Sequence, residues 1–189
     1  MQHADAPTRR KRADAVRNTE VVLEAAKSAF AELGVDAPMR EIAARAGVGV
    51  GTIYRNYPQR SDLIVAVFRR EVAAVAASAE RVEREHPPEV ALRAWAEDLA
   101  RFVATKRGFA AALHSGDPAY RPLPDVFLGT VGPPVQRMLD AGAVAGTVRG
   151  GVTAEALIRA LSRLVDDEAS DGIGGMAGLL LDGLLGPRP

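Results

Sequence analysis

The chain of 189 residues contains no cysteine, which excludes disulfides, thiolate zinc sites and cysteine nucleophiles together. Histidine is scarce too. The three present, His3, His86 and His114, are too scattered to suggest a metal site, and no cofactor is expected. Aromatic residues make up only 5% of a chain that is 48% hydrophobic, so the core must rely on alanine and aliphatic side chains. That balance favours helices, and an all-α fold is expected. No apolar run approaches the ~18 residues of a membrane span; the greasiest, MAGLLLDGLL, is cut by Asp182. The basic N-terminus, MQHADAPTRRKRADAVRNTE, has no apolar stretch after its charges and so lacks the form of a secretory signal. A cytoplasmic protein without membrane contact is expected.

What is present is unevenly distributed. The formal net charge is zero, yet residues 1–70 hold 12 Lys and Arg against 8 Asp and Glu, and residues 71–189 hold 12 against 16. The basic third precedes an acidic remainder, a pattern that fits either a nucleic-acid partner or a solvated surface with a basic tail.

Residues 1–14 carry Pro7 and the run Arg9-Arg10-Lys11-Arg12 without apolar periodicity, and read as a disordered basic arm. From about Asn18, Val22, Ala25, Ala26, Ala29, Phe30 and Leu33 recur at helical spacing, and Gly34 supplies a stop. Pro38 then suits the first position of a short second helix ending at Gly47. After Val48-Gly49-Val50 comes GTIYRNY, closed by Pro58. Two short helices around a tight glycine turn form a helix-turn-helix. Ser61 offers an N-cap for a long helix that runs to His86-Pro87-Pro88. The rest divides into further helical stretches, giving about nine helices in all, with no strand pattern and no fixed repeat.

The alternate glycines Gly47, Gly49 and Gly51 raise the question of a phosphate-binding loop. A dinucleotide fold needs such a loop after a buried strand, and a P-loop needs a lysine before its Ser or Thr. Here REIAARA precedes the glycines and Gly51 precedes Thr52. The hinge reading accounts for every position: Gly47 ends one helix in the left-handed conformation, Val48 plugs the core and Gly49 starts the next helix at a steep angle. Ile53 and Tyr57 then point inward, while Thr52, Tyr54, Arg55 and Asn56 point away. Their hydroxyl, phenol, guanidinium and carboxamide groups suit phosphate oxygens and base edges.

Residues 17–63 join several features in order: Phe30 and Gly34, Ile42-Ala43, Ala46-Gly47-Val48, Gly51-Thr52-Ile53-Tyr54, Tyr57, and a basic residue before Ser61-Asp62-Leu63. This combination resembles the N-terminal DNA-binding domain of TetR-type transcriptional regulators. The resemblance implies that Thr52, Tyr54, Arg55 and Asn56 line the groove-facing side of the recognition helix, and that Arg40 and Arg60 lie near backbone phosphates. Arg55 either reads guanine bidentately or lies along the phosphates; Tyr54 either enters the groove or packs across the helix pair. Gly49 and Met39 depart from the family, which often has polar caps at these helix starts.

The resemblance further implies a DNA-binding domain at 15–60 and a ligand-binding and dimerisation domain at 61–189. The partners expected are a double-stranded operator, a second copy of the chain and a largely apolar inducer; control by a protein partner is the alternative. Trp95, Phe102, Phe109, Leu113, Phe127 and Met138 are candidate pocket walls, with His114 as a polar group, though the apolar ones equally suit a core. His114, Ser115 and Asp117 have the chemical types of a hydrolytic triad, but near neighbours on a helix do not face each other, and no enzyme is expected. The last two apolar stretches, TAEALIRALSRLV and IGGMAGLLLDGLL, suit a dimer through a four-helix bundle.

Overall fold

The computed structural model describes residues 6–107, 115–167 and 173–186. Among them are eight α-helices and no strand. The first four are α1 (Ala6–Leu33), α2 (Met39–Ala46), α3 (Val50–Asn56) and α4 (Arg60–Glu85). They are followed by α5 (Pro88–Arg107), a single 3-10 turn at Pro118–Tyr120, α6 (Leu123–Ala145), α7 (Ala154–Asp167) and α8 (Gly175–Leu185). The helix expected around FAAALHSGD lies outside the described residues except for its end, Ser115 to Asp117.

Of the basic arm expected to be disordered at 1–14, residues 6–14 have helical backbone as the start of α1, and residues 1–5 lie outside the described ones. The physical reason is local. Pro7 falls in the first turn, where its missing N–H costs nothing, and from Thr8 to Leu33 no glycine or proline interrupts residues that are mostly good helix formers. Among its described side chains, Val22, Leu23, Ala26, Ala29 and Phe30 are buried.

The glycine hinge takes the expected form. Gly47 has φ +66°, its N–H donates to the Ala44 carbonyl at 3.1 Å, and the Val48 N–H donates to Ala43 at 3.0 Å. This paired closure satisfies carbonyls that a helix end otherwise leaves open. Pro38 sits one position outside α2, at the cap, and Met39 is buried where a polar cap might stand. The cap of α4 also differs from expectation. Gln59, not Ser61, is the cap residue, and the Asp62 carboxylate accepts the Gln59 N–H at 2.8 Å; Ser61 is buried in the first turn.

Helix α4 spans about 39 Å at 1.5 Å per residue and belongs to both halves. It packs on α1 at the helix-turn-helix end and on α5 and α6 further along. Helices α5, α6 and α7 pack on one another, and α8 packs on α7. One continuous core results, from Phe30 and Ile53 to Trp95, Leu161 and Leu181. Helix α6 continues through Pro133 and Pro134. These residues have no N–H to donate, and burial of Val131, Pro134, Val135 and Met138 holds the helix together.

Candidate nucleic-acid interface and the adjoining cavity

Helix α3 is held from below by one apolar side chain. Ile53 is fully buried, while Tyr54, Arg55 and Asn56 are exposed and Thr52 is partly so. The exposed groups fold back on their own helix. Arg55 Nε donates to the Gly51 carbonyl at 3.1 Å and its Nη2 to Thr52 Oγ1 at 3.4 Å; Asn56 Nδ2 donates to the Thr52 carbonyl at 2.8 Å. These are local bonds in water, which a phosphate or base edge can replace at small cost. Tyr54 is half exposed, at 50%, and the neighbouring Val50 is also exposed, at 42%. Arg40, in the first turn of α2, is exposed with no side-chain partner among the described residues. Tyr57 is half-buried against the core, and burial, aided by the charge of Glu20, pushes its hydroxyl pKa up.

Arg60 does something else. Its Nη1 donates to the carbonyls of Val35 and Ala37, at 2.6 and 2.7 Å. Through that nitrogen the guanidinium closes the connection between α1 and α2. Two further ion networks fix the helix-turn-helix and its neighbours. Arg45 bonds Glu32 at 2.9 Å and Glu41 at 3.0 Å, and its hydrogen bond, with that of Ser28, holds the Glu32 carboxyl below the usual carboxylate range. Arg70 bonds Glu20 and Glu24, and Lys27 bonds Glu71 at 2.8 Å, tying α1 to α4. Sequence reasoning missed these positional roles because most of the partners lie far along the chain, on another helix or in the connection between α1 and α2.

A cavity of about 410 Å³ opens between α4, α5, α6 and α7. Its apolar side holds Phe68 edge-on to Phe102, centroids 5.8 Å apart, and Phe102 stacked on Phe127 at 5.0 Å and 7°. Its other side carries Arg159, Ser162 and Arg163 of α7. Tyr120, from the 3-10 turn, is also in the lining. Burial and then the charge of Asp117 push the Tyr120 hydroxyl pKa up, while Arg60 pulls it the other way. The start of α4 is therefore close enough to this wall to act on it electrostatically.

Of the expected pocket residues, Phe102 and Phe127 line this cavity. Trp95 and Met138 do not. Both are fully buried core, packed among residues of the same character, and helical spacing could not separate the two environments. Phe109, Leu113 and His114 lie outside the described residues. Phe68, Tyr120, Ser162 and the two arginines were not anticipated; the available signal was a pair of basic residues at i and i+4 beside the apolar face of one helix. Asp117 is a cap, its carboxylate accepting the Ala119 N–H at 2.8 Å, and Gly116 beside it has φ +79°. No described helix is long and apolar enough to cross a membrane.

Residues 22–67 match the family model described as bacterial regulatory proteins, tetR family. A TetR transcriptional regulator from Streptomyces coelicolor, SCO0520, has a solved structure that is 33% identical. The match covers 88% of this chain and 98% of that one, with a TM-score of 0.70. A TetR transcription regulatory protein from Mycobacterium vanbaalenii is 36% identical over 92% and 98%, with a TM-score of 0.71. Among curated proteins, the HTH-type transcriptional regulator SAB2452 of Staphylococcus aureus (strain bovine RF122 / ET3-1) is 39% identical over 62 residues, 32% of this chain and 34% of that protein. The chain thus spans about a third of the length of the curated relatives it matches.

Proposed function

The chain belongs to the TetR family of bacterial transcriptional regulators, and from that premise we propose that it is a ligand-released repressor. In this reading a homodimer places one α3 in each half-site of a near-palindromic operator. Half-site centres then lie about 34–36 Å apart, or a multiple of that. Thr52, Tyr54, Arg55 and Asn56 face the groove, and Arg40 approaches the flanking phosphates. Arg60 is not counted among the phosphate-binding groups; it holds the loop before α2.

The observation that carries the ligand-responsive part is the continuity of α4. One uninterrupted helix has Arg60 bonded to the reader's loop at its start and Phe68 in the cavity wall two turns later. A molecule that displaces Phe68 or Tyr120 moves the same helix that seats the reader. The mechanism is a population shift: the inducer must bind the form that does not fit DNA more tightly than the form that does. Control by a protein partner would be favoured by a domain packed solid, and the open cavity supports the small-molecule version instead.

The dimer is assigned to α7 and α8. Ala156, Ala160 and Gly183 leave an apolar groove between them, and Leu179 beside it is 64% exposed. Small residues permit close approach of helices, and an exposed leucine there finds its cover in a second copy.

The test is competition binding to DNA from upstream of the protein's own gene at fixed salt. Arg55→Ala is expected to flatten sequence preference at one base-pair position, by about 1–3 kcal/mol, with a smaller loss of affinity for unrelated DNA. An unchanged preference would remove Arg55 from base readout.

A further inference from the structure

We propose that the cavity takes an anionic amphiphile, with an apolar body against the phenylalanines and a carboxylate received by Arg163, with Arg159 and Ser162 beside it. The inference rests on the reading of this cavity as the effector site and names the chemistry of its occupant.

The lining separates two kinds of surface. Phe68, Phe102 and Phe127 form a contiguous aromatic array, extended by Leu123 and Ile158. The volume of about 410 Å³ falls within the ~300–1,000 Å³ of small-molecule sites. An array of this kind recognises hydrocarbon and discriminates poorly within it. Discrimination has to come from the polar side, where the charged groups among the described lining residues are Arg159 and Arg163, with no carboxylate.

The placement of these two follows from helical geometry. On α7, Ile158 is buried toward the core, and Arg159, Ser162 and Arg163 occupy one adjoining strip at spacings of three and four. Arg159 is engaged by Glu155 through a bond of 2.9 Å, and no carboxylate among the described residues pairs with Arg163. Glu155 thereby competes with a ligand for one guanidinium, and Arg163 is the one without such a competitor among the described residues. A guanidinium binds a carboxylate through two parallel N–H donors, a geometry that a neutral alcohol does not reproduce and a cation opposes. The Ser162 hydroxyl can donate one more hydrogen bond to the same anion. The competing arrangement is arginine stems covering the apolar rim with their heads in water, which would give no preference between charged and neutral ligands.

Titration calorimetry on the full chain decides between them, with decanoate, decanol and decylammonium as probes at equal ionic strength and below micelle formation. Decanoate is expected to bind about tenfold or more tightly than decanol, with decylammonium the weakest. Arg163→Gln should remove the decanoate advantage and leave decanol unchanged. Leu128→Trp, which fills the cavity from a partly exposed position, should block decanoate and decanol together, with its melting curve as a check on folding.

Equal binding of decanoate and decanol, both abolished in Leu128→Trp, overturns the anion preference and leaves the cavity reading standing. Binding that survives Leu128→Trp in a folded protein overturns the cavity reading itself, since the probes then sit elsewhere. No binding of decanoate overturns the inference outright.

Discussion

The Arg60 guanidinium donates to two carbonyls in the connection between α1 and α2, and Arg55, five residues earlier, bonds only within its own helix. The two arginines therefore fail differently when removed. Arg60→Ala leaves two partly buried carbonyls without a charged donor, a loss of about 1–3 kcal/mol. The expected result is a lower midpoint in urea, with DNA affinity falling only as the reader loosens; an unchanged midpoint would return Arg60 to the phosphates. Gly142 is a second decisive residue. A Cβ placed there would overlap Val148 Cγ2 and lie 3.2 Å from Pro88 Cβ, in a turn already closed by the bond from the Thr147 N–H to the Gly142 carbonyl. Gly142→Ala should cost about 1–3 kcal/mol through overpacking. Val148→Ala in the same chain should recover part of that cost. Urea melts of the four forms measure the coupling, and additive effects would mean that the turn moves aside freely.

At the scale of elements, α1 and α4 hold the helix-turn-helix to the rest of the chain. Helix α1 begins at Ala6, and its first two turns include Arg9, Arg10, Lys11 and Arg12. A run of basic residues suits phosphate oxygens, and the proposed DNA-binding role gives this one a test. Deleting residues 1–14 should weaken binding at low salt and leave sequence preference intact. The slope of log affinity against log salt should become shallower by about 0.9 for each phosphate that the extension neutralises. A truncated chain with the full slope would exclude the extension from the interface. The α4 end of the reader needs no such extension, because the bonds of Arg70 and Glu71 to α1 already tie the two helices. Exposed bonds of that kind contribute little stability singly; as a group spanning one helix pair they set its angle.

For the whole molecule, the proposed dimer is tested at the surface of α8. Leu181 and Leu184 of α8 are buried within the chain, and Leu179 is not. Deleting the last helix would confuse folding with association, because it removes Ala177, Leu181 and Leu184 from the core. Leu179→Glu separates the two: light scattering should report monomers, thermal unfolding should remain cooperative, and operator affinity should collapse because one half-site holds a reader weakly. An intact dimer carrying that substitution would place the interface elsewhere.

Much of the reader was legible without coordinates because its determinants are local. A glycine that adopts φ +66° after REIAARA, the apolar spacing of α1 and the inward Ile53 each depend on residues within a turn or two, so sequence order alone determined the helix-turn-helix and the exposed face of α3. The cavity was not legible in that way. Trp95 and Met138 share the chemistry and spacing of Phe102 and Phe127, and which of them borders a gap is decided by four helices meeting from distant parts of the chain. The same holds for Arg60, whose two acceptors lie 23 and 25 residues away. Helical periodicity records which side of a helix is apolar; only the tertiary packing decides whether that side meets protein, an empty volume or a second copy of the chain.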